Sequence, residues 1–338
     1  MFDIWNRRYT GSKYKLMPWI KQLIIEHCNE RSTFFDVFGG TGVVTASLLD
    51  ISKKIIINDF LFSNEIIYKA FFAQSVDNSD KLKNICSKLN SVDKATLSDN
   101  YVSINYGGKY FNYDDAKLIG YIREVIESEF LNGNISEQEY DILIASLIYS
   151  FDRCANTVGH YEAYIKRKDI MSTFRFELIR PIKTDTVIEI HREDANELAK
   201  RISADVAFID PPYNSRQYSR FYHVLETITK WDKPVLKGVA MKPPEENMSD
   251  YCRSKAATVL KKLIDDLDVK YIVVTYNNTY DSKSSSSRNK ISLEQIKAIL
   301  DSKGHTQIFE KEYHRFNAGK TDVAEHKELL FITEVKNN

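Results

Sequence analysis

The chain has no excess of charge of either sign. Its 338 residues carry 47 Lys and Arg side chains and 47 Asp and Glu side chains, so the formal net charge is zero. A protein that binds nucleic acid tightly without regard to sequence usually carries a strong positive charge. The composition therefore argues against that class of protein, although a locally basic cleft is compatible with zero net charge.

Cysteine and long apolar runs are also scarce. The cysteines Cys28, Cys86, Cys154 and Cys252 are scattered and lack the paired spacing of a zinc site, so we expect them to be reduced and mostly structural. No apolar run is long enough to span a bilayer, and the charged beginning lacks a secretory core. These absences predict a cytoplasmic protein that has no membrane partner.

The tetrapeptide Asp210-Pro211-Pro212-Tyr213 is the most informative feature that is present. It follows the apolar run Val206-Ala207-Phe208-Ile209, which is typical of a buried parallel strand. Two prolines cannot continue a sheet, so the strand is expected to end there. Ligand crevices of open α/β sheets form at the carboxyl ends of strands. The tetrapeptide therefore places a carboxylate, carbonyl groups and an aromatic ring at a predicted ligand site.

This set of groups suits an exocyclic amine on a planar base. Asp210 can accept a hydrogen bond from one N–H, the carbonyl of Pro211 can accept from the other, and Tyr213 offers a ring for stacking. Two acceptors on one amine favour a more tetrahedral nitrogen, whose lone pair can attack an electrophile. A strand-ending turn with a buried tyrosine is the alternative interpretation.

A second motif contains a glycine turn between a predicted strand and a predicted helix. It begins at Asp36 and continues through Phe38, Gly40 and Gly42. Glycines let the backbone pass close to a ligand. Asp59 directly follows the next predicted strand, Lys54 to Asn58, and an acid at that position can bind ribose hydroxyls. A glycine cluster by itself is more often a tight turn, but the glycines, the strand and the acid together predict a nucleotide site.

A third predicted strand, Val187 to Asp194, ends in an acid, and a predicted helix from Ala195 to Ile202 follows it. Asp194 can accept a hydrogen bond from the amino group of an adenine moiety. It can equally serve as the N-cap of the helix, which is a common role for Asp. The two roles are compatible.

In this order the motifs resemble those of the Dam-like, alpha-class DNA adenine-N6 methyltransferases, including those of restriction–modification systems. Tyr9-Thr10-Gly11-Ser12-Lys13 matches the family's amino-terminal cofactor motif, and Phe38-Gly39-Gly40-Thr41-Gly42 matches its F-x-G-x-G. Asn58-Asp59 matches the acid of the second strand, and a long insert precedes Asp210-Pro211-Pro212-Tyr213. The resemblance covers most of the chain. The segment Asn214-Ser215-Arg216-Gln217-Tyr218 departs from the pattern and leaves the contacts to the target unassigned.

The resemblance implies an α/β, Rossmann-like fold of the S-adenosylmethionine-dependent methyltransferases, with an inserted, mainly helical target-recognition domain and an antiparallel last strand. We place the catalytic domain at residues 1–75 and 185–338 and the insert at 76–184, where the alternation of strands and helices is broken. The implied cofactor is S-adenosylmethionine, and no metal is needed. The residues expected to bind the cofactor are Tyr9, Lys13, Asp36, Phe38, Gly40, Gly42, Asp59 and Asp194.

The implied reaction transfers a methyl group to the N6 amine of an adenine that is flipped out of double-stranded DNA. Asp210, Pro211, Pro212 and Tyr213 are the expected catalytic residues. The implied setting is a bacterium or phage, with a possible cognate restriction endonuclease that acts on the same DNA site without direct contact. An RNA adenine-N6 methyltransferase and a catalytically silent nucleic-acid-binding homologue remain alternatives.

Two groups of basic residues are candidates for nucleic-acid contact. Arg216 and Arg220 lie close to the tetrapeptide, which favours a role in binding nucleic acid. The run Lys166-Arg167-Lys168 lies in the insert, where contact with phosphates and a simply solvated surface are equally compatible with the sequence.

Overall fold

A computed structural model of the protein describes residues 1–9, 11–73, 79–167, 169–213, 215–278, 290–312 and 327–336. The chain separates into two compact units. The sheet unit consists of Lys13–Phe60, Asp185–Gln217 and Asn247–Asn338. The helical unit consists of Met1–Ser12, Leu61–Thr184 and Tyr218–Glu246. Each unit thus takes several separate stretches of the chain.

Seven strands of the described residues form one sheet in the order β3-β2-β1-β4-β5-β7-β6. The strands are β1 (Thr33–Asp36), β2 (Lys54–Asn58), β3 (Val187–His191), β4 (Ser203–Ile209), β5 (Asp268–Asn277), β6 (Gly304–Glu312) and β7 (Lys327–Val335). Neighbouring strands are parallel except at β7, which pairs antiparallel with both β5 and β6. The expected antiparallel last strand is therefore confirmed.

Helices occupy both units. They are α1 (Met17–His27), α2 (Val43–Leu48), α3 (Phe62–Phe71), α4 (Ser79–Asn90), α5 (Tyr101–Tyr106), α6 (Tyr113–Leu131), α7 (Glu137–Cys154), α8 (Ala195–Ala199), α9 (Tyr218–Phe221), α10 (His223–Lys230), α11 (Ala256–Asp266) and α12 (Leu293–Asp301). None of the helices in the described ranges is long and apolar enough to cross a membrane.

The sheet is covered on both faces because its central strands are apolar at nearly every position. Side chains of a strand alternate between the two faces, so Phe34 and Phe35 of β1 enter different cores. Phe34 packs with apolar residues of α1 and α2, and Phe35 packs with those of α8, α11 and α12. The sheet unit is therefore a three-layer α/β structure, as expected for a Rossmann-like methyltransferase.

The strand order reverses direction at β1 and β4. From β1 the sheet continues through β2 to β3 on one side and through β4 to β5 on the other. Asp36, the last residue of β1, lies opposite Phe208 of β4 in the parallel register. In open α/β sheets the crevice at such a reversal is the usual ligand site. The carboxyl ends of β1 and β4 are therefore where a site is expected.

The helical unit contains α3 to α7, α9 and α10. Its longest helices, α6 and α7, begin at side-chain caps: Asn112 accepts from the N–H groups of Asp114 and Asp115, and Ser136 accepts from that of Glu139. The buried Arg123 of α6 donates to the carbonyl of Ile228 at 2.8 Å, near the carboxyl end of α10. These contacts confirm that the insert is mainly helical.

Several predicted elements differ from the structure. The residue pattern predicts one helix from Ser219 to Trp231, but the structure divides it into α9 and α10. The pattern also predicts a helix from Asp250 to Leu267, which begins in the structure with a separate 3-10 turn, Asp250–Cys252. The residues before Gly107 form α5 rather than an extended segment, because Asn100 caps the helix by accepting from two backbone N–H groups. Strand β6 was not predicted. Most of the polar segment 277–290 lies outside the described residues.

The two compact units do not have the bounds that we assigned to the functional domains. Residues 61–75 and 218–246 group with the helical unit, although the sequence places them in the catalytic part. The compact units show which residues lie close together, and they do not show which residues take part in catalysis or in DNA recognition. The division of chemistry and recognition between 1–75 with 185–338 and the insert 76–184 therefore stays a prediction.

Candidate active site

The carboxylate of Asp210 directly follows β4 and is held by three side chains of the sheet unit. Lys13 lies 3.0 Å from Oδ2 and forms an ion pair with it. The hydroxyl groups of Thr275, at 2.8 Å, and Tyr213 both donate to Oδ1. Although Asp210 keeps 19% of its side chain exposed, its orientation is thus fixed from three directions.

The Tyr213 hydroxyl links the lysine to the carboxylate. Lys13 donates to this hydroxyl at 2.6 Å, and the hydroxyl in turn donates to Asp210. The Tyr213 ring packs edge to face on Tyr276, with ring centroids 4.9 Å apart. Burial, together with the neighbouring Asp210 carboxylate, raises the pKa of Tyr213 well above its ordinary value, so the hydroxyl stays protonated as a donor.

Asp36 lies at the carboxyl end of β1 with only 1% of its surface exposed. Its Oδ2 accepts from the hydroxyl of Thr45 at 2.8 Å, whereas its Oδ1 is buried and has no hydrogen-bond partner among the described residues. Burial, with a smaller contribution from the charges of Asp210 and Asp59, raises the pKa of Asp36 to about 7, although the Thr45 hydrogen bond opposes this shift. A buried carboxylate oxygen without a donor is suited to a cationic ligand.

The glycine loop between β1 and α2 has a backbone that other residues rarely adopt. Gly40 and Gly42 have φ angles of 54° and 75°, in the left-handed region. The N–H of Gly40 donates to the carboxylate of Asp59 at 2.9 Å, and the N–H of Gly39 donates to the carbonyl of Asn58 at 2.7 Å. The loop is therefore tied to the end of β2, beside the predicted ribose-binding acid.

Asp194 caps α8, because its carboxylate accepts from the N–H groups of Asn196 and Glu197 at 2.9 and 3.1 Å. The N-cap interpretation is thus confirmed, and the contact to an adenine amine stays a prediction. The ring of Phe38 packs edge to face on Tyr251, with centroids 5.0 Å apart. This aromatic pair and Asp194 belong to the same unit as Asp36 and Asp59.

The amino-terminal motif is divided between the units. Lys13 belongs to the sheet unit, Tyr9 belongs to the helical unit, and Thr10 lies outside the described residues. The Tyr9 ring stacks on Tyr222 at a centroid distance of 4.6 Å and on Tyr218 at 5.4 Å. Cofactor contact by Tyr9 therefore stays a prediction, and the side chain of Lys13 contacts two catalytic candidates, Asp210 and Tyr213.

The predicted nucleic-acid residues are dispersed. Arg216 belongs to the sheet unit and is partly buried, whereas Arg220 belongs to the helical unit and donates to the carbonyl of Pro243 at 2.7 Å. Lys166 and Arg167 are exposed, and neither forms an ion pair with a described residue. Lys168 lies outside the described residues.

Sequence reasoning missed two threonines that hold the site. Thr275 and Thr45 are both buried and orient Asp210 and Asp36. Thr275 belongs to an apolar strand. Threonine is a common residue in strands, so its presence there does not indicate a functional role. Within the described ranges, no group of three or more His, Cys, Asp or Glu side chains is placed to hold a metal.

A family model described as D12 class N6 adenine-specific DNA methyltransferase matches residues 9–313. Type II methyltransferase M.NlaIII of Neisseria lactamica is 29% identical, covering 96% of this chain and 98% of that protein. Type II methyltransferase M.CviAII of Paramecium bursaria Chlorella virus 1 is 31% identical, covering 97% and 98%. Modification methylase StsI of Streptococcus sanguinis is 31% identical over 97% of this chain, which spans 52% of StsI.

Proposed function

Since the chain belongs to the D12 class of N6 adenine-specific DNA methyltransferases, we propose that Asp210 receives the target amine during methyl transfer. Family membership makes the chain an enzyme that methylates N6 of adenine in DNA. The proposal rests on the three side chains that donate to the carboxylate of Asp210. Lys13, Tyr213 and Thr275 orient this carboxylate at the reversal point of the sheet before any base arrives.

Asp210 and the carbonyl of Pro211 each accept one N–H of the target amine. With both hydrogens held, the nitrogen lone pair points away from the acceptors and towards the electrophile. The nitrogen would gain a bond to the methyl carbon as the bond between that carbon and the sulfonium sulfur breaks, leaving a neutral thioether, and the nitrogen would then lose one proton, which the Asp210 carboxylate can accept. Positioning of reactants of this kind can contribute about 7–11 kcal/mol to lowering a barrier. Pro211 and Pro212 prevent β4, which ends at Ile209, from continuing.

The residues near β1 and β2 fit S-adenosylmethionine, which supplies, when bound, a methyl group on positively charged sulfur. The unpartnered Oδ1 of Asp36 fits the ammonium group of the methionine part. Gly40 and Gly42 allow the backbone to approach it closely, and Asp59 suits the ribose hydroxyls. These assignments account for the carboxylate that is buried at the end of β1.

The remaining cofactor residues are proposed from their place in the sheet unit or in the amino-terminal motif. Asp194 and Phe38 lie in the sheet unit and suit the adenine end of the cofactor. Tyr9 and Lys13 are proposed from the amino-terminal motif alone. The contacts of Lys13 support a role at Asp210 more directly than one at the cofactor.

Flipping an adenine out of the duplex costs a few kcal/mol, which contacts to the surrounding DNA must offset. We assign such contacts to Arg216, Arg220, Lys166, Arg167 and Lys168, as phosphate-binding residues. The relatives named modification methylases support a role in protecting DNA from a cognate endonuclease that reads the same site. The enzyme would act where that DNA lies, in the cytoplasm of a bacterium or of an infected host cell.

The test is methyl transfer by the wild type and by Asp210→Ala, measured with labelled S-adenosylmethionine on cellular DNA from a strain that lacks the enzyme. The variant is expected to lose at least about a hundredfold in rate, as when one transition-state contact is removed. Its affinity for S-adenosylmethionine should change far less, because Asp210 acts on the amine. Near-normal turnover would refute the assignment of Asp210.

The same assay separates DNA from RNA as substrate. A DNA duplex with the methylated sequence and an RNA duplex of matching sequence compete for the enzyme. Methylation is expected on DNA, and preferential methylation of RNA would contradict the proposal.

A further inference from the structure

The segment 231–246 of the helical unit has an unusual backbone. Four non-glycine residues in the described parts of the chain have a φ angle in the left-handed region. Three of them lie in this segment: Trp231 at 57°, Lys233 at 47° and Met241 at 51°. Such angles are strained for residues with a side chain, and they persist only where surrounding contacts enforce them. Strain of this kind concentrates at functional sites, so the segment is a candidate for one.

Hydrogen bonds from other parts of the helical unit hold this segment in place. The hydroxyl of Tyr101 donates to the carbonyl of Pro234 at 2.7 Å, and that of Tyr110 donates to the carbonyl of Ala240 at 3.0 Å. Arg220 donates to the carbonyl of Pro243 at 2.7 Å. Three separate side chains therefore fix a segment that has no helix or long strand of its own.

The middle of the segment is a small hairpin, Lys237 to Lys242. Its ends exchange two backbone hydrogen bonds of 2.9 Å. Val239 at its turn is 75% exposed, and Val235 just before it is 79% exposed. Lys237 is exposed and forms no ion pair with a described acid. The hairpin thus presents rigidly held apolar side chains next to an available positive charge.

A basic stretch of chain is attached to this hairpin. The Tyr110 hydroxyl lies between the carbonyl of Tyr161, at 2.7 Å, and that of Ala240, at 3.0 Å, so its single proton is shared between this stretch and the hairpin. Lys242 forms an ion pair with Glu162 at 3.2 Å. A few residues further on are Lys166 and Arg167, which are exposed and form no ion pair with an acid in the described ranges. The surface made of the hairpin 237–242 and the stretch 161–167 therefore combines exposed methyl groups with available cations.

We propose that this surface binds duplex DNA, with Val239 as an apolar wedge against the bases and with Lys237, Lys166 and Arg167 on phosphates. The proposal rests on the proposed function and adds the elements that grip the duplex. Charge complementarity selects the partner, because the available charges are positive and phosphates are the abundant surface anions of DNA. Apolar side chains that enter between base steps are a known way to unstack a duplex. A pre-formed hairpin loses little freedom on binding.

The test compares Val239→Asp with Leu131→Asp, in the full-length protein. Leu131, at the end of α6, is 75% exposed in the same unit and is the matched control. The duplex is one that the wild type methylates, identified by sequencing DNA from expressing cells, with 2-aminopurine at the target position. Binding is followed by anisotropy, and base extrusion is followed by 2-aminopurine fluorescence.

For Val239→Asp we expect the affinity for the duplex to fall by about tenfold or more and the fluorescence increase to be smaller. The substitution removes the apolar side chain that would enter the base stack and adds a negative charge near the phosphates. Leu131→Asp should match the wild type in both measurements. Both variants should keep the wild-type affinity for S-adenosylmethionine and the wild-type melting temperature, because both side chains are exposed.

Lys237→Gln tests the phosphate contact, with Lys88→Gln of α4 as the control for an exposed lysine without an acidic partner. Loss of one phosphate contact should reduce the slope of log affinity against log salt by about 0.9. The control slope should stay unchanged.

Unchanged DNA affinity and fluorescence for Val239→Asp, in a protein whose wild type methylates the duplex, would overturn the wedge. A change in sedimentation with unchanged DNA binding would assign the surface to a second copy of the chain and would also overturn it. Absence of DNA methylation by the wild type would instead refute the proposed function, so the two failures are distinguishable.

Discussion

At the scale of single residues, the tetrapeptide is embedded in a network that gives Tyr213 a polar role as well as an aromatic one. Its hydroxyl lies between Lys13 and Asp210, and its ring contacts Tyr276. The sequence predicts stacking of the target base on this ring, and that prediction stands untested. The hydroxyl adds a second function, which is to hold the Asp210 carboxylate in place.

Two substitutions separate these functions. Tyr213→Phe keeps the ring and removes the hydroxyl, so we expect a rate loss of about 1 kcal/mol, the usual value of one hydrogen bond. Tyr213→Ala removes both and should lose a further 1–3 kcal/mol of stacking, to an order of magnitude. Single-turnover methylation at saturating cofactor measures both losses. Equal losses for the two variants would mean that stacking contributes nothing.

Asp36 is expected to make the stability of the protein depend on pH. Its pKa is raised to about 7 by burial, so between about pH 4 and pH 7 the folded state binds more protons than the unfolded state. Stability from this residue is complete below about pH 4 and is lost as the pH rises through 7. The expected loss is on the order of 3–4 kcal/mol at most.

Asp36→Asn removes this dependence. Chemical denaturation at pH 5 and pH 8 without cofactor should show that the variant gains stability relative to the wild type as the pH rises. Asp141, whose pKa burial also raises to about 7, contributes equally to both proteins and cancels in the comparison. The variant should also bind S-adenosylmethionine more weakly. A constant stability difference at the two pH values would show that Asp36 stays ionised in the folded state.

At the scale of secondary-structure elements, the glycine loop before α2 has a constrained backbone and a proposed role in binding the cofactor. Gly42 precedes the first residue of α2 with a φ of 75°, and the helix is only six residues long. An added side chain is strained there whatever space is available, at a cost of about 1–2 kcal/mol. The turn therefore specifies glycine for its conformation, independently of any ligand.

Gly42→Ala is compared with Gly133→Ala to separate strain from ligand contact. Gly133 has a φ of 72°, and a Cβ added to it would meet no atom within 4 Å, so it reports backbone strain alone. Both variants should lose about 1–2 kcal/mol of stability. Calorimetry should show weaker binding of S-adenosylmethionine for Gly42→Ala only. Equal cofactor affinities in the two variants would remove the loop from the cofactor site.

At the scale of the whole molecule, most proposed chemistry belongs to the sheet unit, and the proposed DNA surface belongs to the helical unit. Asp36, Asp59 and Asp210 all lie in the sheet unit, where the strand order places them at the same edge of the sheet. The basic run of the insert lies in the other unit. This partition predicts that cofactor binding and DNA binding respond to different substitutions.

Replacing Lys166, Arg167 and Lys168 together with Gln should weaken DNA binding for every sequence. If all three contact phosphates, the salt slope should fall by about 0.9 for each, and cofactor affinity should stay unchanged. Affinities at several salt concentrations measure this. Substitutions at residues that read bases should instead relax the choice of site. If changes across 76–184 alter cofactor binding but never the choice of site, recognition must lie elsewhere, either near Arg216 and Arg220 or around Ser284.

Helices and strands could be predicted from the amino-acid sequence where the residues that specify them are neighbours in the chain. The apolar run Lys54 to Asn58 predicted β2 with its observed bounds, and Ser292 with Gln295 predicted the capped start of α12. The motifs Asp36 to Gly42 and Asp210 to Tyr213 were placed at the ends of strands for the same reason. Strand and helix periodicity, prolines and caps act within a few residues, so their effects are visible in a single sequence.

The contacts between side chains that are distant in the chain could not be predicted in this way. Lys13 and Tyr213 are 200 residues apart in the chain, and Thr275 and Asp210 are 65 apart. No local pattern encodes such pairs, because they depend on the strand order that brings the end of β4 next to β5 and on the packing around it. The role of Lys13 at Asp210, the strained segment 231–246 and the partition into two units became visible only when those long-range contacts were known.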